Sequence, residues 1–398
     1  MRCRICGSKD LRPILDLGEM ALTGVFQKHG RKVKRAPLEL MLCLGACGLL
    51  QLKDAVPRSE VFGPSYGYES GINDTMREHL NDIVQRARAR VLLGSGDVVL
   101  DIGSNDGTLL NYYPGSVKRI GIDPSGERFA KNYTQTASYW DKRLIVGYFS
   151  RKTFKLKAKI ITSIAMFYDL ENPLAFMRDI KASLAPEGIW ITEQSYMPTM
   201  LKNVAYDTVC HEHIEYYGLR QIKWMADKVG LEIIDASLSD INGGSFCVTL
   251  GHKGASFGAR PYYTTIQPLL DAEAKLELVD YRAFSVHARD HRAAMRGWLA
   301  GLIARGKSVL GYGASTKGNV ILQYCGITVK AIADRNPAKW GLRTPGTNIP
   351  IISEDKARAM KPDYFLVLPW HFRREIEARE KAFTDTGGKL FFPLGANL

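Results

Sequence analysis

No stretch of this chain approaches the roughly 18 apolar residues that a membrane-spanning helix needs, and the opening segment MRCRICGSKD has no apolar signal region. The expectation is therefore a cytoplasmic protein with no membrane partner. Low-complexity segments and internal repeats are absent. Cysteine is scarce: the 398 residues hold seven, four of them near the start, too few for a disulfide framework and consistent with a reducing compartment. Also missing is the GxGxxG spacing that favours pyrophosphate binding at the first turn of a dinucleotide fold. What remains is 45% hydrophobic and 24% charged residues, the composition of a soluble globular protein, at a length that predicts two or three domains. The formal charge of +13 could attract nucleic acid, an anionic surface or a diphosphate-bearing small substrate. The basic residues are dispersed, without an aromatic-interleaved stripe, so nucleic acid is not the expected partner.

Residues 98–110 read VVLDIGSNDGTLL. Val98 to Leu100 suit a buried parallel strand ending in Asp101. Gly103 and Gly107 bracket a turn through Ser104 and Asn105 into a helix expected near Thr108. A second strand ends in Asp123-Pro124, placing an acid about 20 residues past the glycines, where ribose hydroxyls bind. This pair of strand ends resembles the S-adenosylmethionine site of class I methyltransferases.

Cys3-x2-Cys6 and Cys43-x3-Cys47 form two knuckles, with glycine after Cys6 and Cys47. Four soft thiolates predict a structural zinc site with no open coordination position. Thr75–Leu93 reads as an amphipathic helix with Thr75 and Glu78 as a capping box. Strands at 159–164 and 189–193, a helix at 172–184 and a helix–strand pair at 222–236 predict a doubly wound parallel sheet. A helical stretch from Ile266 to about Arg305 then bridges to KSVLGYGASTKGN, a second glycine turn, followed by a strand at 329–334 that ends in Asp334. There Tyr312, Gly313, Ser315 and Lys317 could hold a diphosphate through backbone amides and the lysine charge, or the turn could only close a cleft.

The segment DTVCHEHIEYYG, residues 207–218, clusters His211, Glu212 and His213 in a loop after a sheet strand. Imidazole and carboxylate are proton-transfer groups near neutral pH. Metal binding by Cys210, His211 and His213 is the alternative, and a polar loop with satisfied histidines is the plain one.

Together the four cysteines, DIGSNDGTLL, HEH, NGGSF at 242–246, GYGAS-x-KGN at 311–319 and PGTNIPI at 345–351 resemble, in order, the three-domain sugar C-methyltransferases that act on nucleotide-linked keto-deoxysugars. The resemblance covers nearly the whole chain. It implies an α/β fold: a class I, Rossmann-like methyltransferase sheet flanked by a small N-terminal zinc module and a C-terminal Rossmann-like domain. The divisions expected are a zinc module over 1–60, a methyltransferase domain over 61–255, a helical connection over 256–306 and a nucleotide-sugar domain over 307–398. S-adenosylmethionine would bind Asp101, Gly103, Ser104, Asn105, Gly107, Asp123 and Pro124. A nucleotide-diphosphate sugar would meet Asn242, Gly244, Ser245, Tyr312, Gly313, Ser315, Lys317 and Asn319, in a monomer or weak dimer.

Carbon methylation beside a ketone needs a base at carbon and a donor at oxygen. His213 is the leading base, assisted by Glu212, with Asp169 the runner-up. Tyr66, Tyr68 or His211 would donate to the oxygen. The chain has Cys210 where characterised members tend to carry Tyr before HEH and Cys247 where Arg is frequent, and some members have a histidine near Asp169, which leaves the base and the sugar open. The competing functions are sugar O-methylation and a nucleic-acid methyltransferase with a zinc module.

Overall fold

The computed structural model describes residues 1–62, 68–133, 142–255 and 263–395. Three sheets organise them. The first opens with β1 (Leu11–Ala21), β2 (Arg35–Cys43) and β3 (Leu50–Leu52), antiparallel throughout.

The second sheet begins with β4 (Val98–Ile102), β5 (Lys118–Asp123), β6 (Lys142–Val146), β7 (Ala158–Ile164) and β8 (Leu184–Ser195), each parallel to its neighbours. Every residue of β4 is buried, as befits a central strand covered on both faces. β9 (Glu215–Tyr216) then leaves this unit and pairs antiparallel with β3. β10 (Leu231–Ser239) and β11 (Ser245–His252) return as an antiparallel hairpin against β8, giving the order β10-β11-β8-β7-β4-β5-β6. An all-parallel sheet is thus corrected at one edge. The link between β10 and β11 is too short for a parallel crossover, and Asn242, Gly243 and Gly244, all at positive φ, turn it tightly.

The third sheet, β12 (Val309–Tyr312), β13 (Ile332–Ala333), β14 (Ile351–Ile352), β15 (Tyr364–Val367) and β16 (Lys389–Phe391), is parallel, in the order β14-β13-β12-β15-β16.

Several local expectations shift. The helix expected at Thr108 is only a 3₁₀ turn, Leu109–Tyr112, because Pro114 bars helical geometry at the residue before it. The helix expected from Thr75 runs Asp74–Arg90 with Asn73 at its N-cap. Thr75 does not cap it; its hydroxyl donates to Glu375 across the gap to the third sheet's unit. The long helical stretch divides into Tyr263–Ala274 and Leu278–Ala304. The latter buries Tyr281, Phe284, Ala288, Met295 and Leu302 in a core shared by Leu40 of the first sheet and Leu366 of the third. Chain order separates these two sheets, but they pack around common apolar side chains. Among the described residues, no helix is long and apolar enough to cross a membrane.

Candidate active site and metal centre

The four N-terminal thiols converge. Cys3 and Cys47 sulfurs lie 3.4 Å apart, those of Cys6 and Cys43 3.5 Å, and all four fall within 4.8 Å of one another. Gly7 and Gly48 both take positive φ, so each knuckle folds back past its second cysteine. A tetrahedral site with Zn–S bonds of about 2.3 Å has sulfurs roughly 3.8 Å apart, so the spacing fits zinc. So does the electrostatics. The hydrogen bond from Cys47 pulls the Cys3 thiol down to about 5, while burial drives Cys43 up to about 12. Burial of thiols this close together opposes multiple thiolates, and a divalent cation is what makes four compatible. Cys3, Cys6, Cys43 and Cys47 would hold the ion, and four ligands leave it structural.

At the carboxyl ends of β4 and β5 the glycine turn is held from below. The Asn105 amide donates to Asp123 Oδ2 at 2.8 Å; the Ser125 amide and hydroxyl donate to Oδ1 at 2.7 and 2.6 Å. Asp101 accepts from Thr162 at 2.6 Å, and burial raises its carboxyl to about 7. Gly107 has positive φ, and a Cβ there would strike the Tyr133 ring at 2.8 Å. Tyr133 in turn donates to Ser104. Asp101, Gly103, Ser104, Asn105, Asp123 and Pro124 line a cavity of about 600 Å³; Gly107 lies behind it. An acid at the end of the second strand beside an open turn fits the ribose of S-adenosylmethionine.

The same geometry recurs in the third sheet. The Ala314 amide donates to Asp334 Oδ2 and the Asn336 amide to Oδ1, both at 2.8 Å. Gly313 is again at positive φ, with Pro369 where a Cβ would project. Ser315 caps the helix Thr316–Cys325, and Lys317 donates to the Asn242 carbonyl at 2.8 Å. Tyr312, Gly313, Ser315, Lys317, Asn242 and Asp334 line the same cavity, so the two glycine turns face one space.

His213 and Glu212 reach that space from the loop before β9. His213 Nδ1 donates to the Thr208 carbonyl at 3.0 Å, which leaves the Nε2 lone pair available. Burial, then the Lys317 charge, push this imidazole down to about 3. Glu212 Oε2 accepts from Thr23 at 3.0 Å and Oε1 has no partner; burial raises its carboxyl. Asp169 joins them on the cavity wall.

Not every expected residue comes to this place. His211 turns away to the Ala36 carbonyl, 3.1 Å from Nε2, and does not line the cavity. Its divergence from His213 removes the Cys210–His211–His213 metal alternative: among the described residues only the four N-terminal cysteines group as ligands. Gly244 and Ser245 shape the hairpin turn instead, and Asn319 donates to the Thr23 carbonyl at 2.7 Å. Tyr68 lines the cavity, with its carbonyl held by Asn105 Nδ2; Tyr66 lies outside the described residues. Neither Cys210 nor Cys247, both buried, lines the cavity.

Other cavity residues carried no sequence signal. Phe26 arrives from the first sheet's unit, and Arg58, Arg335, Lys339, His371 and Arg379 add polar groups. Asn105 and Asp106 accept from the Ser70 and Gly71 amides at 3.0 and 2.7 Å, fastening the segment after Tyr68 onto the turn. A positive φ at Asn105, visible only in three dimensions, sets up that clamp.

The chain matches family profiles described as a zinc binding domain (residues 3–62), a methyltransferase domain (73–236) and a C-methyltransferase C-terminal domain (240–395). It is 29% identical over 405 residues to the C-methyltransferase NovU of Streptomyces niveus, covering 98% of this chain and 95% of NovU. Solved structures similar in part include an S-adenosylmethionine-dependent methyltransferase from Clostridium acetobutylicum, at 13% identity and TM-score 0.34, covering 45% of this chain and 92% of that one. Another is the plantazolicin methyltransferase BpumL with SAH, at 12% and 0.36, covering 46% and 86%.

Proposed function

We propose that this chain, an S-adenosylmethionine-dependent C-methyltransferase by the three domains it carries, methylates the carbon beside the ketone of a nucleotide-linked 4-keto-deoxysugar. The observation that carries the reading is the single cavity lined by both glycine turns and by His213 and Glu212. The cofactor, held by Asp101, Gly103, Asn105 and Asp123, supplies an electrophilic methyl group. The substrate's diphosphate lies at the Gly313–Lys317 turn, where a helix N-terminus and a half-buried lysine favour an anion.

His213 Nε2 removes the proton next to the ketone. Burial, and after it the Lys317 charge, make its imidazole a weak base before substrate binds. A diphosphate on Lys317 offsets the second and smaller of these causes, raising the imidazole part of the way and making it the better base. Base strength is thereby tied to substrate binding. Glu212, anchored by Thr23, supports the imidazolium that forms.

The test is α-proton exchange in heavy water. A nucleotide-linked 4-keto-6-deoxyglucose should exchange the proton beside its ketone with the enzyme and S-adenosylhomocysteine. His213→Ala should lose exchange and methylation by about 10²–10⁴-fold while cofactor binding persists. Near-normal turnover in that variant removes His213 as the base, and a product methylated on oxygen overturns the reading.

A further inference from the structure

The cavity holds a second carboxyl whose surroundings suit the opposite task. Asp169 ends a 3₁₀ turn, Phe167–Asp169, just past β7. It is 7% exposed and lines the cavity, yet its Oδ1 has no hydrogen-bond partner, and among the described residues no ion pair involves it. The turn is tied to the HEH loop: the Ile214 amide donates to the Tyr168 carbonyl at 3.0 Å, and the Tyr168 and His213 rings lie 4.1 Å apart. Asp169 thus shares a wall with both Glu212 and His213.

The two carboxyls differ in what supports their charge. Glu212 accepts from Thr23, a bond that favours its ionised form. Among the described residues Asp169 accepts no such bond on Oδ1. Burial raises its proton affinity well above the ordinary range, and the Glu212 and Glu215 carboxylates add to this. The Arg58 guanidinium opposes them, with a smaller effect than burial or Glu212. Two buried carboxyls near one another hold one proton between them, and these contacts put it on Asp169.

We propose that Asp169 works as a carboxylic acid, donating its O–H to the substrate's carbonyl oxygen while His213 takes the proton from carbon. This assigns Asp169 to the oxygen rather than to proton removal, and it rests on the ketone reading above. The C–H bond breaks, its proton goes to His213 Nε2, and its electron pair forms the enolate whose oxygen accepts from Asp169. That pair then forms the new bond to the methyl carbon, the S–C pair stays on sulfur, and the carbonyl is restored. Asp169 keeps its proton throughout, and His213 releases one to solvent. A neutral acid in an apolar pocket is an effective donor to a developing oxyanion.

The experiment measures α-proton exchange of dTDP- and UDP-4-keto-6-deoxyglucose in heavy water with S-adenosylhomocysteine, across pH, for the full-length enzyme and its Asp169→Asn and Asp169→Ala variants. An acid predicts a wild-type rate that falls as pH rises and deprotonates it. Asp169→Asn, which keeps an N–H donor, should retain measurable exchange and lose that basic limb. Asp169→Ala should lose roughly 10²–10³-fold, as for removal of an oxyanion donor. A protonated-carboxyl band in the wild-type minus Asp169→Asn infrared difference spectrum at pH 7 should accompany this. Asparagine and alanine variants equally inactive, with a wild-type rate that shows no fall as pH rises, would overturn the proposal in favour of a carboxylate base. Absence of the infrared band overturns it whatever the substrate. If the wild type binds S-adenosylhomocysteine and shows the band but exchanges neither sugar, the ketone reading has failed instead, and with it the assignment to a carbonyl oxygen.

Discussion

Thr23 donates to Glu212 over 3.0 Å, although 189 residues separate them in the chain. Beside it, a Cβ on Gly24 would fall 2.2 Å from Glu212 Oε1. The four-cysteine unit thus stands directly behind Glu212, and its Phe26 lines the same cavity.

Thr23→Val should remove a hydrogen bond to a charged group, worth about 1.5–3 kcal/mol, or roughly ten- to hundredfold in turnover if Glu212 must be held for the reaction. Zinc content and S-adenosylhomocysteine affinity should stay at wild-type values. Gly24→Ala should impair turnover at least as much, by displacing Glu212. Steady-state kinetics with calorimetry checks both; unchanged turnover in the valine variant would detach Thr23 from catalysis.

Zinc removal should silence the enzyme from a distance. β9 directly follows the HEH loop and pairs with β3, while Arg4 Nη1 donates to the Leu52 carbonyl and Gln221 to the Cys47 carbonyl. Metal binding supplies much of the folding energy of a small four-cysteine module. Cys6→Ser should lower metal content, loosen this module and reduce turnover. Metal analysis alongside activity reads the coupling; full activity in metal-free protein would break it.

Asp123→Ala should weaken S-adenosylmethionine binding by the worth of each lost charge-assisted hydrogen bond, about 1.5–3 kcal/mol. The same carboxylate holds the Asn105 amide, so the variant also frees the turn. Asp123→Asn, which keeps one acceptor oxygen, should fall between wild type and alanine. Titration calorimetry with S-adenosylhomocysteine orders the three.

His211 is buried against the first sheet, and burial lowers its imidazole to about 4. The unfolded chain therefore binds a proton near pH 6.5 that the folded chain refuses, so this residue destabilises the fold as pH drops below 6.5 and continues to do so down to about 4. At pH 5 the effect is about 2 kcal/mol. Relative to His211→Gln, the wild type should lose about that much stability between pH 7.5 and 5. Denaturant melts at the two pH values measure it, and a pH-independent difference would contradict the burial argument.

Much of this architecture was legible in residue order. The apolar run Val98–Leu100 with Asp101, Gly103 and Gly107 announced a strand and turn, because a buried strand has few compositions available to it and a tight turn needs positive φ. The cysteine spacing announced the metal module for a similar reason: thiolate chemistry is local. What failed was local in appearance only. Thr75 and Glu78 match a capping box, but Thr75 bonds Glu375, a partner on a helix about 300 residues further along the chain. His211 and His213 look equivalent as HEH, but neighbours on opposite sides take one to Ala36 and the other to the cavity.

By itself the sequence determined the parallel strands that lead into the two glycine turns, the four-cysteine ligand set and the acids that end the strands beside those turns, since each depends on side-chain chemistry repeated at short range. Only the tertiary structure decided which turn faces which, that the hairpin edge is antiparallel, that Thr23 bonds Glu212 and that Asp169 shares a cavity wall with Glu212. Those outcomes depend on burial and on partners far apart in the chain, and a carboxyl's proton affinity follows the neighbours that packing brings to it.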